Sequence, residues 1–182
     1  MIEYSTKALV LACEDIGEFD KTIYLFTKEL GKVKARAKSA RKITSKLSGH
    51  LQPLNFIRVR LVEKRGLQIA DAFEVSQMKI SHSAMEFVSF IKEMTFEFQQ
   101  DKKIWFLIKE AFKDFKKQGK ISYKRFLEIM GFSPKFAVCD ICKNKFVKFF
   151  SQKEQIFLCY HCALPYKFKE KEKKEFPDLI AI

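Results

Sequence analysis

Long apolar segments are missing from this sequence of 182 residues. No run approaches the roughly 18 consecutive apolar residues that a membrane-spanning helix needs, so we expect no membrane partner. The start, Met1-Ile2-Glu3-Tyr4, lacks a basic segment followed by an apolar one, so no secretion signal is expected. The cysteine count, 5, is odd, which disfavours a simple disulfide framework. These absences together favour a reducing, cytoplasmic environment.

The residue sets of common enzyme active sites are missing as well. The sequence shows no paired carboxylates, no Ser/His/Asp set and no glycine-rich phosphate-binding loop. His50 and His82 have no sequence neighbours that suggest metal ligation or catalysis. The sequence therefore predicts that the chain is not an enzyme.

Acidic residues are scarce relative to basic ones. The chain has 35 Lys and Arg against 22 Asp and Glu, for a net charge of +13. An acidic partner is therefore expected, such as nucleic acid, an anionic membrane surface or an acidic peptide. The excess of lysine over arginine, together with 20 Phe, is also what an A/T-rich genome would produce. Clustering of the charge therefore carries more weight than its total.

The clustering is strongest between Gly31 and Lys46, where no acidic residue occurs. Cations first alternate with small apolar residues, as on a strand whose successive side chains point to opposite faces. They then continue into a Ser-rich segment, residues 39–48, that is predicted to be mobile. Such a row suits the backbone of a polyanion, and a solvated sheet face is the alternative. The candidate phosphate contacts in this stretch are Lys32, Lys34, Arg36, Lys38, Arg41, Lys42 and Lys46.

Strands are predicted at residues 4–13, 21–27, 56–62 and 67–75, in addition to the basic strand. Arg58 and Arg60 share one face of the fourth strand and are expected to flank the same groove as the basic strand. Five short strands joined by turns predict a small closed barrel of the OB type, with an open sandwich as the alternative.

The pattern changes near Ser81, which is a candidate N-cap together with Ser83. Apolar residues spaced three or four apart predict helices at residues 84–98, 104–115 and 123–130. The predicted fold class is therefore α+β, with an OB-type domain over residues 1–80 and a helical domain over residues 81–182. The Lys- and Glu-rich residues 167–175 are predicted to form a solvated helix end or a frayed terminus.

Two Cys-x-x-Cys pairs lie within the helical half, separated by residues 143–158. A two-residue spacing lets one tight turn aim two thiolates at a common tetrahedral centre, and two short strands are predicted between the pairs. This pattern predicts a four-cysteine zinc ribbon at about residues 138–163. Four cysteines leave no open coordination position, so the Zn²⁺ is expected to be structural. Disulfides or a redox Cys-x-x-Cys are the alternatives. The predicted ligands are Cys139, Cys142, Cys159 and Cys162.

Several short motifs occur in a fixed order along nearly the whole chain. They are Leu9-Val10-Leu11, Gly17-Glu18-Phe19-Asp20, the run from Leu25 to Lys32, Leu51-Gln52-Pro53-Leu54, and the run from Phe126 to Pro134 that leads into Cys139. In this order they resemble the RecO family of bacterial recombination mediators.

The resemblance implies an N-terminal OB fold, a helical domain and an embedded zinc module. It implies binding of single- and double-stranded DNA and annealing of complementary strands. It also implies that the protein acts together with RecR and binds the C-terminal tail of the single-stranded-DNA-binding protein SSB, so that RecA can displace SSB at the nucleoid. The helical part is short for the family, and no residue is assigned to the SSB-tail site. The residues alone would also suit an OB and zinc-ribbon protein that binds RNA or assists transcription.

Overall fold

The computed structural model describes residues 1–171 and 179–182. The chain packs as two compact units, Met1–Trp105 and Phe106–Ile182. The first unit contains the five-stranded sheet, and the second contains the cysteine pairs. The division into an OB-type domain over residues 1–80 and a helical domain over residues 81–182 stays a prediction. No helix among the described residues is both long and apolar enough to span a bilayer.

Five strands close a barrel in the order β1-β2-β3-β5-β4. Neighbouring strands pair antiparallel, except for β3 and β5, which pair in parallel through Ala35–Leu67 and Arg36–Gln68. The predicted OB-type barrel is therefore confirmed, and the open sandwich is excluded. The strands are β1 (Ile2–Ile16), β2 (Asp20–Thr27), β3 (Gly31–Ala37), β4 (Asn55–Glu63) and β5 (Leu67–Gln77).

The first strand is longer than predicted because it serves two neighbours. Its first half pairs with β4 and its second half pairs with β2, and its register shifts between Val10 and Ala12. Such an irregularity bends a strand and increases its twist, as closing a small barrel requires. The bend lets one strand contribute to both sides of the barrel wall.

Alternation places one face of each strand inside the barrel. On β3, Val33, Ala35 and Ala37 are buried, while the cations between them point outward. On β4, the interleaved apolar residues from Ile57 to Leu61 are buried in the same way. Each strand of the barrel has one face buried in the core and one face exposed to water, and this requirement produces the period-two pattern in the sequence.

The segment between β3 and β4 is folded back onto the barrel as a series of turns, although residues 39–48 were predicted to be mobile. Ala40 and Leu51 are buried in the barrel core, and Leu47 packs against it. The Leu54 backbone N–H donates to the Val10 carbonyl at 3.0 Å. The buried apolar side chains hold both ends of the segment on the barrel, because exposing them to water would lose the free energy gained by burying them.

Two helices follow the barrel. Helix α1 (His82–Met94) begins after Ser81, whose hydroxyl accepts from the Ala84 N–H at 3.2 Å, so that N-cap is confirmed. The prediction that this helix reaches Phe98 is wrong. Thr95 is extended, and the Phe98 N–H donates to the Lys32 carbonyl at 2.8 Å, which draws residues 95–98 alongside β3. Helix α2 (Lys102–Gln118) ends before Gly119.

The second unit adds a short helix, α3 (Lys124–Ile129), and a three-stranded sheet in the order β7-β6-β8. The strand β8 (Leu179–Ala181) was not predicted, and only the end of α4 (Tyr160–Lys171) falls in a segment for which a helix end or a frayed terminus was predicted. The prediction for residues 167–175 falls partly on residues 172–178, which lie outside the described residues. The sheet strands before α4 are β6 (Val147–Ser151) and β7 (Ile156–Cys159).

Candidate functional site

The outer surface of β3 carries the cations that the sequence pattern placed there. Lys34 and Arg36 are exposed, and Lys38 follows directly after the strand and is exposed as well. Arg41, Lys42 and Lys46 continue the row along the turns after β3, and all three are exposed. We call the following six residues the β3 face: Lys34, Arg36, Lys38, Arg41, Lys42 and Lys46.

Lys32 differs from the other cations of its strand because its ammonium group is used inside the unit. It donates to the Lys92 carbonyl in the last turn of α1, at 2.6 Å. Burial lowers the pKa of Lys32, although the carboxylates of Glu93 and Glu97 act in the opposite direction. Lys32 therefore caps a helix end, and we leave it out of the β3 face.

A tyrosine on β2 adds an aromatic ring beside the β3 face. Tyr24 pairs with Lys34 in register, and the Lys34 Nζ lies 5.4 Å from the centre of the Tyr24 ring. Lys92 approaches the same ring at 4.2 Å, and the Tyr24 hydroxyl donates to Glu14 at 3.0 Å. The sequence pattern did not single out Tyr24, because its position relative to Lys34 depends on the register between two strands.

Asp20 holds Arg36 and the chain after β3 in place. Its carboxylate accepts from Arg36 Nε at 2.7 Å and from the Ser39 backbone N–H at 2.7 Å. These two donors, Ser39 first, hold the pKa of Asp20 below its ordinary value. Arg36 keeps 55% of its side chain exposed, so its guanidinium is positioned and partly neutralised but still reachable by another anion.

The turn between β1 and β2 anchors the far end of the β3 face. Arg41 pairs with Asp15 at 3.2 Å and donates to the Gly17 carbonyl at 2.8 Å. Lys42 lies 5.2 Å from the centre of the Phe19 ring, which is 49% exposed. In OB folds, loops of this position and the strands β2 and β3 form the ligand-binding surface. Phe19 therefore offers an apolar ring for stacking next to the cations.

Four cations of the β3 face are not paired with a carboxylate. Within the described part of the chain, no ion pair at 4.0 Å or less involves Lys34, Lys38, Lys42 or Lys46, whereas Arg36 and Arg41 are paired. The acidic residues of the β1–β2 turn therefore offset only part of this surface. The remaining charge faces solvent and is available to a polyanion.

Arg58 and Arg60 are exposed on β4 as predicted, but the structure does not bring them together with the β3 face. On one side β5 lies between β4 and β3, and on the other side β1 and β2 lie between them. Arg60 pairs with Glu3 at 3.4 Å. The prediction that Arg58 and Arg60 flank the same groove as the basic strand is wrong. It depended on the order of the strands in the barrel, which no local sequence pattern encodes.

The sequence pattern missed two cations that belong near the β3 face. Lys64 and Arg65 form the turn between β4 and β5 and are exposed. This turn leads directly into Leu67, which pairs with Ala35 of β3. The two adjacent cations before Gly66 were a visible signal, but only the parallel pairing of β3 with β5 shows that they approach this surface.

The four predicted ligand cysteines come together in the second unit. Their sulfur atoms all lie within 4.8 Å of one another, and Cys142 Sγ and Cys159 Sγ are 3.6 Å apart. Four thiolates around one ion at a metal–sulfur distance of about 2.3 Å would stand roughly 3.8 Å apart, so the cluster fits a tetrahedral ion. All five cysteines of the chain are free, which excludes the disulfide alternative in this structure.

Each cysteine pair is shaped by a local turn. The first pair is closed by the Lys143 N–H, which donates to the Cys139 carbonyl at 2.8 Å, with Lys143 in the left-handed region at φ 61°. In the second pair, Cys159 ends β7 and Cys162 lies in the first turn of α4. The fully buried Cys139 also packs in a small apolar cluster with Leu158.

The pKa values of two ligand cysteines are shifted in opposite directions. Burial raises the pKa of Cys139, but backbone N–H groups of Cys142, Cys159 and Ile141 outweigh this effect and bring it to about 6. Hydrogen bonding with the neighbouring Cys142 raises the pKa of Cys162 to about 12. Cys139 therefore deprotonates readily at neutral pH, whereas a divalent cation would have to displace the proton that Cys162 holds.

Comparison with known proteins finds relatives over most of the chain. A family model described as the recombination protein O N terminal matches residues 1–78, which hold the whole barrel. The DNA repair protein RecO of Myxococcus xanthus (strain DK1622) is 31% identical over 78% of this chain and 64% of its own length.

The resemblance extends to proteins from other bacteria. The DNA repair protein RecO of Dehalococcoides mccartyi is 27% identical over 88% of this chain and 70% of its own length. That of Bacillus velezensis is 29% identical over 86% of this chain and 67% of its own length. The barrel therefore matches the RecO family model, and the chain is similar to RecO proteins over most of its length. The chain spans about two thirds of the length of these RecO relatives.

Proposed function

We propose that this chain is a DNA-binding recombination mediator of the RecO type, whose β3 face contacts the DNA backbone. The exposed cations Lys34 and Lys38, which have no carboxylate partner in the described structure, carry this proposal. Similarity to proteins that are named DNA repair protein RecO supports DNA as the polyanion. The protein would then act in the cytoplasm, at the nucleoid.

Binding of this kind depends little on base sequence. Cations on a strand contact phosphates, and phosphate contacts position a protein without reading bases. The chain is therefore proposed to bind single- and double-stranded DNA and to anneal complementary strands by screening their charge. This role requires no catalytic group, so the chain is proposed to act without enzymatic activity.

Reversing two β3-face cations tests the DNA proposal. We expect Lys34→Glu with Lys38→Glu to weaken single-strand binding roughly tenfold or more at low salt, for all sequences alike. The slope of log affinity against log salt should flatten by about 0.7 for each phosphate that the variant no longer neutralises, and annealing should fail. Arg36 is spared, because Glu at that position would face Asp20. Fluorescence anisotropy across a salt series measures both quantities.

Two controls sharpen this experiment. Lys79→Glu with Lys102→Glu makes the same charge change at exposed positions outside the β3 face, and should lower affinity far less. Lys32→Gln removes a cation from the same strand whose ammonium group is already used, and should leave DNA affinity within about twofold. An unchanged dissociation constant in the Lys34/Lys38 variant would mean that this surface is only a solvated sheet face. Tighter binding of RNA than of DNA would favour the RNA-binding alternative.

The cysteine cluster is proposed to hold one structural Zn²⁺. Four sulfur ligands in a closed tetrahedral set are the preferred environment of zinc in small modules. When bound, the ion would fix the turns around Cys139 and Cys159 and so stabilise the second unit. This is a role in folding rather than in chemistry.

RecR and the C-terminal tail of SSB are proposed as partners, so that RecA can be loaded on SSB-coated DNA. An acidic tail that ends in apolar residues needs a cationic and apolar site, and we place that site on the helical half, residues 81–138. A pocket between α2 and α3 offers Leu107 and Phe126 as its apolar part. Glu110 and Asp114 line it as well, and Arg125 is paired with Glu110 at 3.0 Å, so Lys120 is the lining cation that a tail carboxylate would meet. Lys120→Glu should weaken binding of the tail peptide several-fold. Equal binding would refute this placement, and absence of RecR and SSB from a pull-down would refute the partners.

A further inference from the structure

A second cationic surface lies on the barrel wall away from the β3 face. Lys7 of β1 and Arg58 of β4 stand directly opposite each other in register, and both are exposed. The β1–β4 ribbon is the part of the barrel that strand order separates most from β3. The cations on this ribbon therefore cannot simply extend the row on β3.

The pairing of Lys7 with Arg58 is unfavourable by itself. Directly opposed residues on one face have Cβ atoms about 5 Å apart, and like charges at that distance destabilise a sheet. Within the described residues, neither Lys7 nor Arg58 has an ion pair at 4.0 Å or less, while the next residue outward on β4, Arg60, is paired with Glu3. An anionic ligand at this point would remove the repulsion.

A third cation completes a cleft at this position. The turn after β2 brings Lys28 next to β1, with the Lys28 N–H donating to the Lys7 carbonyl at 2.9 Å. The cleft is lined by Ser5, Thr6, Lys7, Lys28, Glu29 and Arg58. The carboxylate of Glu29 accepts from the Thr6 hydroxyl and pairs with Lys28 at 3.3 Å. Three cations against one carboxylate leave the cleft with a net positive charge.

An exposed aromatic ring lies beside the cleft. Phe73 of β5 is the register partner of Arg58 on the side away from Lys7, and it is 60% exposed. The row Lys7, Arg58 and Phe73 therefore crosses three strands. Cations followed by an exposed ring are the arrangement that single-stranded nucleic acid binds, through phosphates and a stacked base.

We propose that the cleft formed by Lys7, Lys28 and Arg58 binds the phosphodiester backbone of a second DNA strand while the β3 face holds the first. This inference rests on the proposed function of the β3 face. A barrel with cationic surfaces on separate parts of its wall would carry two strands at once. Annealing would then proceed through one protein molecule that screens both backbones.

A capture experiment tests the second site. A single strand is immobilised, the full chain is bound and washed, and a labelled, non-complementary strand is added at low salt. The wild type should capture the second strand. Lys7→Glu with Arg58→Glu should bind the first strand within about twofold of the wild type but capture at least fivefold less of the second. The Lys79→Glu, Lys102→Glu variant has the same charge change and should capture normally.

The outcomes separate this inference from the proposed function. If the Lys7/Arg58 variant captures as well as the wild type, the second site is refuted. If it loses first-strand binding as strongly as the Lys34/Lys38 variant does, the cleft and the β3 face serve one strand, and the inference is also refuted. Normal first-strand binding by the Lys34/Lys38 variant would refute the proposed function instead.

The single variant Arg58→Gln tests whether a loss of capture could come from a folding defect. Removing one of two opposed cations should leave the melting temperature unchanged or higher, because it relieves repulsion. Second-strand capture should nevertheless fall several-fold. A lowered melting temperature together with normal capture would show that Arg58 serves only the fold. Capture of inorganic phosphate without a strand would identify the cleft as a site for small anions and would refute the second-strand assignment.

Discussion

Cys139→Ser is expected to unfold the second unit while the barrel remains folded. Serine is a poor zinc ligand at neutral pH, and structural zinc sites bind with apparent free energies of about 10–16 kcal/mol that are also folding free energy. Cys139 is fully buried among Leu158, Cys159 and Ala163, so the apolar cluster loses its fixed position together with the metal. Metal analysis should show loss of zinc, and limited proteolysis should cut within residues 138–163.

The barrel provides the internal reference for this experiment. Residues 1–105 have their own core, so DNA affinity of Cys139→Ser should stay within about twofold of the wild type. Cys13→Ser is the matched control, because Cys13 is a free cysteine outside the four-sulfur cluster. It should keep one zinc per chain. Wild-type protein purified without chelator that contains no zinc would refute the assignment of the metal.

Local periodicity explains why the barrel and the cysteine cluster were predictable. A residue such as Ala35 is small and apolar because it faces the barrel interior, and Arg36 is charged because it faces water. That requirement repeats every second residue, so it is visible in the sequence. The Cys-x-x-Cys spacing is equally local, because one turn decides where both sulfurs of a pair point.

Long-range pairing explains what the sequence did not reveal. Lys32 has the same spacing as Lys34, yet it is half-buried because the end of α1 lies over it. The carboxylates of Asp15 and Asp20 offset part of the β3 face from a separate segment of the chain. Arg58 lies away from that face because β5 is inserted between β3 and β4. Each of these facts depends on which strands become neighbours.

Gly31→Ala is expected to destabilise the barrel unit more than any other single glycine substitution in that unit. Gly31 has φ +70°, where a residue with a Cβ is disfavoured by about 1–2 kcal/mol. A Cβ there would also stand 1.9 Å from the Gln99 carbonyl oxygen, closer than any real contact. That oxygen belongs to a backbone segment held to β3 by the bond from the Phe98 N–H to the Lys32 carbonyl, so it cannot move alone. We expect a loss of at least about 3 kcal/mol, measured by denaturant unfolding of the full chain.

Gly17→Ala separates the clash from the backbone strain. Gly17 also has a positive φ, +58°, but a Cβ there would meet nothing within 4 Å. This variant should lose only about 1–2 kcal/mol, the cost of the left-handed conformation. The difference between the two variants then measures the close approach of residues 98–100 to the start of β3. Equal destabilisation by the two substitutions would mean that the segment after α1 yields easily.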